Sequence, residues 1–307
     1  MKKFLSFVLI FAMLFSCMAL VACNDTPDNG EQNEGNETPE NPDGTENGDG
    51  GEEEGGENNN NNQEEPDVLK LKIGSFNIAN GSKVSHNLTK IAKDIKDLDL
   101  DIVGLQEVDR FASRSQYLDT MKRLSELTGY QYYYYSKAIN IGGNPSVYGQ
   151  DGEYGTGILS KYPITFEETT QLASGGYEQR VLSHVTIQVE DAEVHFFNAH
   201  LTYNTLAVRK AQMEKIEELA SEYDYCLVTG DFNVEALSEF EVLESFTGVN
   251  NEENPMVTFP GWKEDPWPTG CIDNIMYSDG FELLDGGVQN DRSHSDHYLL
   301  WAEFEVK

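Results

Sequence analysis

The stretch Ile102-Val103-Gly104-Leu105-Gln106-Glu107-Val108 begins as a short apolar run, entered from the acids Asp99 and Asp101 and closed by Gln106 and Glu107. An apolar run of this length between acids reads as a strand buried on both faces. Glu107 therefore stands where that strand gives out. Working outward, other strands end in the same manner: Val68 to Phe76, alternating in part through Leu69, Leu71 and Ile73, closes on Asn77; Ala192 to Ala199 closes on Asn198 and His200; Tyr225 to Val228 leads to Asp231 and Asn233. Asp273 with Asn274, and Asp296 with His297, open their strands instead. If those last strands run antiparallel to the others, all these polar groups meet at one sheet edge. A single site is predicted.

Helical spacing separates the strands. Leu88, Ile91, Ala92, Ile95 and Leu98 recur on one helix face, as do Leu118, Met121, Leu124 and Leu127, which stop at Gly129, a residue suited to a helix end. Leu206 to Glu222 sets Val208, Met213, Ile216 and Leu219 among charged residues, the mark of a solvent-facing amphipathic helix. Further strands are expected at Tyr130 to Tyr135, Gly157 to Ser160, Ile272 to Tyr277 and Tyr298 to Val306, with Val181 to Val189 pairing antiparallel with Ala192 to Ala199 across Asp191. A loop is expected over Asn140 to Tyr154 and a short helix near Val234 to Ser245. Strands outnumber helices and neighbours read as antiparallel, which predicts an α/β sandwich with helices outside two sheets.

Across 307 residues the chain carries 54 acidic and 21 basic side chains, a net charge of -33, but the charge is unevenly spread. Residues 1–23 hold Lys2 and Lys3 and no acid; residues 24–67 hold sixteen acids and no base; residues 68–307 keep a net charge of -19. That last segment is long enough for one large domain. The absence of a Gly period, sustained heptads or dense cysteine excludes collagen, coiled coil and a disulfide scaffold. Duplex binding draws mostly on Lys and Arg neutralising phosphates, so an acidic domain is a poor sequence-independent grip on nucleic acid.

Lys2 and Lys3 precede an apolar run, Phe4 to Leu20, in the order of a secretory signal. The run ends in Leu20-Val21-Ala22-Cys23, which resembles a bacterial lipobox and implies a lipid-bearing Cys23. The alternative is an uncleaved membrane helix, since about 17–20 apolar residues can span a bilayer. Asn24 to Asp67 is almost wholly Asn, Gly, Glu, Asp, Pro, Thr and Gln. It lacks the apolar surface to offset chain entropy and is expected to be a disordered tether, spanning roughly 35 Å.

The residue types at the predicted edge favour a hard divalent cation. Carboxylates and amides without a thiolate cluster suit Mg2+, with Mn2+ or Ca2+ as alternatives. Cys226 and Cys271 are too few for a structural zinc site, and whether they bond one another is not readable. Asp296 adjoins His297, but neighbours on a strand point to opposite faces; a more distant acid must face the ring, and Asp273 is the candidate. Arg180, with Glu178, reads as a phosphate contact, a partner of His200, or a surface ion pair. Arg110, Arg114 and Arg209 are further candidate substrate clamps. His86, His184, His195 and His294 receive no role.

Ser75-Phe76-Asn77-Ile78, Ile102 to Val108, Asn198-Ala199-His200, Thr229-Gly230-Asp231-Phe232-Asn233, Ile272-Asp273-Asn274 and Ser295-Asp296-His297 resemble, in order, the motifs of the endonuclease/exonuclease/phosphatase superfamily. Its members include deoxyribonuclease I, exonuclease III, neutral sphingomyelinases and inositol polyphosphate 5-phosphatases. The likeness runs from about Leu69 to Phe304 and implies a four-layered α/β/β/α sandwich. It further implies Glu107 as principal metal ligand with Asn77 and Asp296 beside metal and phosphate. Asp231 would position or deprotonate the attacking water, and Asn233 would orient it or hold a phosphoryl oxygen. His200 and His297 would donate to phosphate oxygens, with Asp273 orienting His297. Two departures stand out: Ala79 replaces the aspartate of apurinic endonucleases, and Cys271 and Asn274 flank Asp273 where many relatives have Arg and Tyr. Base-excision repair is therefore disfavoured.

The expected protein is a monomeric, extracytoplasmic, membrane-anchored phosphoester hydrolase, acting on a small or lipid-derived ester. The alternatives are an extracellular nuclease and a non-catalytic binding lipoprotein. Phe259, Trp262 and Trp267 either line the substrate or only pack their loop.

Overall fold

The computed structural model of the chain describes residues 68–149, 151–260 and 270–307. The leader, Cys23 and the tether lie outside the described residues, as do Trp262 and Trp267. The elements in chain order are β1 (Lys70–Asn77), α1 (Thr89–Asp97), β2 (Ile102–Arg110), α2 (Thr120–Thr128), β3 (Tyr132–Ile141), α3 (Pro145–Tyr148), β4 (Gly152–Ser160), β5 (Ile164–Gln171), β6 (Val181–Val189), β7 (Ala192–His200), α4 (Leu206–Ala220), β8 (Cys226–Asp231), β9 (Thr247–Gly248), β10 (Asp273–Tyr277), β11 (Phe281–Gln289) and β12 (Leu299–Val306).

Two six-stranded sheets result, ordered β11-β12-β1-β2-β4-β3 and β5-β6-β7-β8-β10-β9. Between them lies an apolar layer that includes Leu71, Ile73, Ile102 and Ile158 from the first sheet and Val185, Phe196, Leu227 and Ile275 from the second. The outer face of the first sheet packs Val103 and Leu105 against Ile91 and Ile95 of α1 and Met121 and Leu124 of α2. The outer face of the second packs Phe197 and Val228 against Met213 and Ile216 of α4. Helix, sheet, sheet, helix is the predicted four-layer order. α2 starts where Asp119 accepts from the Lys122 backbone N–H, a cap that satisfies a free helix donor, and stops where Gly129 turns left-handed at φ 84°, the end that the sequence indicates.

A polar clamp crosses the apolar layer. Asn198 of β7 donates to the carbonyls of Leu105 and Gly157, both 2.9 Å away in the facing sheet. Its Oδ1 accepts from Gln106 at 2.7 Å and Thr229 at 3.2 Å. Gly104 is required beneath it, since a Cβ there would lie 2.1 Å from Thr229 Oγ1 and 2.7 Å from Asn198 Oδ1.

Several expectations are corrected. The loop expected over Asn140 to Tyr154 is the end of β3, the single turn α3 and the start of β4; β3 and β4 pair as far as Ile141 opposite Gly152. The helix expected near Val234 to Ser245 is a 3-10 turn, Leu237–Val242. The edge-proximal strands β5 and β11 were not anticipated.

Candidate active site

β1 and β2 are parallel, with Asn77 beside Gln106, so both deliver their last polar residues to one end of the sheet. There the register of β2 with β4 slips between Leu105 and Val108. The extra residue is a β-bulge, a device that re-aims side chains. Glu107 within it holds φ at 55°, an uncommon value for a side chain of this size, of the kind that collects at functional sites.

β7 and β8 are likewise parallel and pair His200 with Asp231, while β10 runs antiparallel to β8 and pairs Asp273 with Asp231. β12 is antiparallel to β1, which returns Asp296 and His297 to the same end. The single-edge expectation is met for Asn77, Glu107, His200, Asp231, Asp273, Asp296 and His297, whereas Asn198 turns into the clamp between the sheets and Asn274 bonds to Asn250. Asp231 Oδ2 lies 2.9 Å from Asn77 Nδ2, 3.4 Å from His200 Nε2 and 3.6 Å from His297 Nε2. His297 Nδ1 lies 2.8 Å from Asp273 Oδ2, the partner expected for that ring.

Charge in this cluster follows from burial and neighbours. Burial works against a charged His297, but Asp273 and Asp231 on either side outweigh it and hold its pKa well above the ordinary imidazole value. Asp231 is pushed up to about 7, by burial first and then by Asp273. His200 moves the other way: burial, then Arg180 and His297, keep it neutral. An imidazolium, a neutral imidazole and a carboxyl group poised near neutrality thus share one locus, the pattern that serves acid–base work.

Asn77, expected beside metal and phosphate, is fixed by a local contact. Its Oδ1 accepts from the Ala79 backbone N–H at 3.0 Å, which turns its amide nitrogen toward Asp231 and, at 3.3 Å, toward Glu107. It aligns two carboxylates by donating to both. Asn233 closes an Asx turn, its backbone N–H donating to Asp231 Oδ1 at 3.1 Å, and its side chain donates to the Leu201 carbonyl at 2.9 Å.

These groups open on a cavity of about 330 Å³ lined by Glu107, His200, Asp231, Asn233, Asp296 and His297, and also by Tyr154, Glu178, Arg180, Tyr203, Phe259 and Ile272. Arg180 is 4% exposed, and its contact at 3.2 Å is with the exposed Glu178, so the pair joins a buried cation to the surface. The other candidate clamps are engaged elsewhere: Arg114 forms a two-pronged bond to the buried Asp109, Arg110 pairs with Asp119 and Glu153, and Arg209 is fully buried against Glu239 and Glu235. Phe259 sits with its ring 4.8 Å from that of His297. His294 was given no role, yet its Nδ1 lies 2.7 Å from Asp94 Oδ2 on α1. With Ser295 Oγ donating to the Asn77 carbonyl at 2.6 Å, that contact ties the Asp296–His297 segment down from both flanks.

The donor set suits a hard divalent cation. Glu107 is raised by burial and by Asp296 against the pull of Asn77 and His297, so two oxygen ligands crowd one polar wall, and a divalent ion relieves such crowding. Glu107 and Asp296 are the residues that fit it. Asp231, Asp273 and His297 also bring ligand atoms within 4.8 Å of one another. The Nδ1 of His297 is spent on Asp273, however, which makes this trio a hydrogen-bonded relay rather than a cage. Cys226 and Cys271 are not joined by a disulfide, and burial pushes the Cys226 thiol well up.

Residues 74–297 match the Endonuclease/Exonuclease/phosphatase family, and the chain belongs to it. Solved structures agree. An endonuclease/exonuclease/phosphatase from Beutenbergia cavernae DSM 12333 is 20% identical, with a TM-score of 0.63 over 77% of this chain and 72% of that one. A mannosyl-6-phosphatase from Bacteroides thetaiotaomicron VPI-5482 is 21% identical, at 0.56 over 76% and 99%. TDP2 from Caenorhabditis elegans is 21% identical, at 0.58 over 78% and 75%. At such identities the likeness establishes the fold. Among curated protein sequences none matches the chain.

Proposed function

We propose that residues 68–307 form a metal-dependent phosphoester hydrolase acting on small esters, displayed outside a bacterial cell by a lipid on Cys23 and a flexible acidic tether. The observation that carries the chemistry is the convergence of Asn77, His200 and His297 on one carboxylate oxygen of Asp231 within 3.6 Å. A divalent cation at Glu107 and Asp296 would supply Lewis acidity at a phosphoryl oxygen. The chain's own groups supply the rest. Asp231 orients a water and takes its proton as the water oxygen bonds to phosphorus. The ester P–O bond breaks, its electron pair leaves on the alcohol oxygen, and that oxygen gains a proton from solvent. His297, fixed by Asp273, donates to the phosphoryl oxygens as negative charge grows, which is where a preorganised donor has most effect.

The cavity volume and the net charge of -19 over residues 68–307 favour a small ester over a nucleic-acid backbone. The relatives named above include a mannosyl-6-phosphatase, which is compatible with a sugar phosphate or a similar head group. The full chain is assayed against p-nitrophenyl phosphate, bis-p-nitrophenyl phosphate, sugar phosphates, sphingomyelin and plasmid DNA, with chelator and with Mg2+. Hydrolysis of a small ester, abolished by chelation and restored by Mg2+, is expected; plasmid cleavage matching the best small ester overturns the ordering, and ligand capture without turnover overturns the enzyme reading. The anchor is tested by membrane fractionation of cells making the wild type or Cys23→Ser. Release of the variant into the soluble fraction is expected, and equal membrane retention removes the lipid.

A further inference from the structure

Arg180 has donors to spare. It precedes β6, its side chain is 5% exposed, and its recorded ion pair runs through Nη2 to a Glu178 carboxylate whose own side chain is 41% exposed. Its Nε and Nη1 are buried and meet no hydrogen-bond partner among the described residues. Leaving a buried donor without a partner is costly, and most of all for a charged group. This cation lines the same cavity as Glu107, His200 and His297, and its charge bears on Glu107, Tyr154 and His200.

We infer that Arg180 makes the site selective for phosphomonoesters over phosphodiesters, by binding the terminal phosphoryl oxygen that a diester replaces with a second ester arm. The inference rests on the hydrolase reading above and narrows its substrate class. A phosphomonoester near neutral pH approaches a dianion, because its second pKa is about 6, whereas a diester carries one negative charge and one fewer terminal oxygen. The dianion needs an additional cationic donor at the reacting group. Arg180 is that donor: permanently charged, walled off from solvent, and holding on Nε and Nη1 three N–H groups that no protein acceptor uses. A diester arm directed at it would leave the guanidinium buried without an acceptor and would also need room in a cavity of about 330 Å³. Discrimination of this kind comes from the penalty on the wrong ligand as much as from the bond to the right one.

The test uses the full chain with Mg2+ and compares kcat and KM for p-nitrophenyl phosphate and bis-p-nitrophenyl phosphate in the wild type, Arg180→Gln and Arg180→Lys. The wild type is expected to prefer the monoester. Arg180→Gln should lower monoester kcat/KM by about 100-fold and diester kcat/KM by less than about 10-fold, with Arg180→Lys recovering part of the monoester loss. Equal loss on the two esters, or a wild type that prefers the diester, overturns the inference while leaving the hydrolase reading intact. A wild type inactive on both, with and without metal, removes the reading and the inference together. Should Arg180→Gln fail to fold, inhibition of the wild type and Arg180→Lys by inorganic phosphate decides: weaker inhibition of the lysine variant supports the inference, and equal inhibition sinks it.

Discussion

Two buried polar networks lie along the same pair of strands and differ in what they leave over. Around Asn198 both amide hydrogens and both carbonyl lone pairs find partners, binding one sheet to the other. Around Asp231 and His297 the counting does not close: Asp273 Oδ1 and two nitrogens of Arg180 are buried without partners. A satisfied network rigidifies a core, whereas a partly satisfied one is costly. The difference teaches which residues hold the scaffold and which await a ligand, although both sets occur in the same sequence motifs. The division is not perfect, since Gln106 Oε1 is also orphaned on the scaffold side.

The largest effect that breaks this contrast is catalytic. Glu107→Gln and Asp231→Asn should each lower turnover by about a thousand-fold, while chemical denaturation shows stability unchanged or raised, because each removes a carboxylate disfavoured by burial. A stability loss comparable to the activity loss would mean that the site is also scaffold. Next comes Asn198→Ala, which takes a partner from four buried groups, of which Gln106 and Thr229 keep others, and should destabilise the fold by about 3–5 kcal/mol, read as a lower urea midpoint. Activity per folded molecule should fall only a few-fold; a collapse in kcat at full stability would move Asn198 into the site.

The smallest effect sharpens the comparison at a third polar cluster. His184 Nε2 lies 3.1 Å from His195 Nδ1, with Phe197 stacked on one ring and Tyr223 on the other. Burial, and then His195, lower the His184 pKa from 6.5 to about 4. The unfolded chain therefore takes up the proton first as pH falls. The contribution of His184 is complete above about pH 6.5 and is lost between there and about pH 4, amounting to about 3 kcal/mol. His184→Phe should flatten that part of the stability–pH curve. An unaltered slope would assign the acid sensitivity to other groups.

Much of this was legible because burial and catalysis write different patterns. Apolar runs locate β1, β2 and β6 to β8, polar residues at their ends locate Glu107, His200 and Asp231, and His297 is located by its place just before the last apolar run. β5 is illegible since an exposed strand of Thr, Glu and Phe has no buried face to set a period. β11 likewise mixes Gly and Asp into a half-buried strand. The orientation of Asn77 depends on the Ala79 backbone N–H, a local contact that residue type does not encode. Arg180 was named but left among three readings, because sequence does not report which of several arginines keeps unused donors.

The bulge in β2 has a consequence for how this protein can change. One inserted residue sends Gln106 inward to the clamp and Glu107 outward to the cavity. Deleting either position would restore an even pleat and leave one residue where the clamp and the cavity each need their own, so architecture and reactivity would fail in a single step. Insertions and deletions should be tolerated in the chain's outer turns and be absent here, tying the inheritance of the enzyme's chemistry to that of its frame.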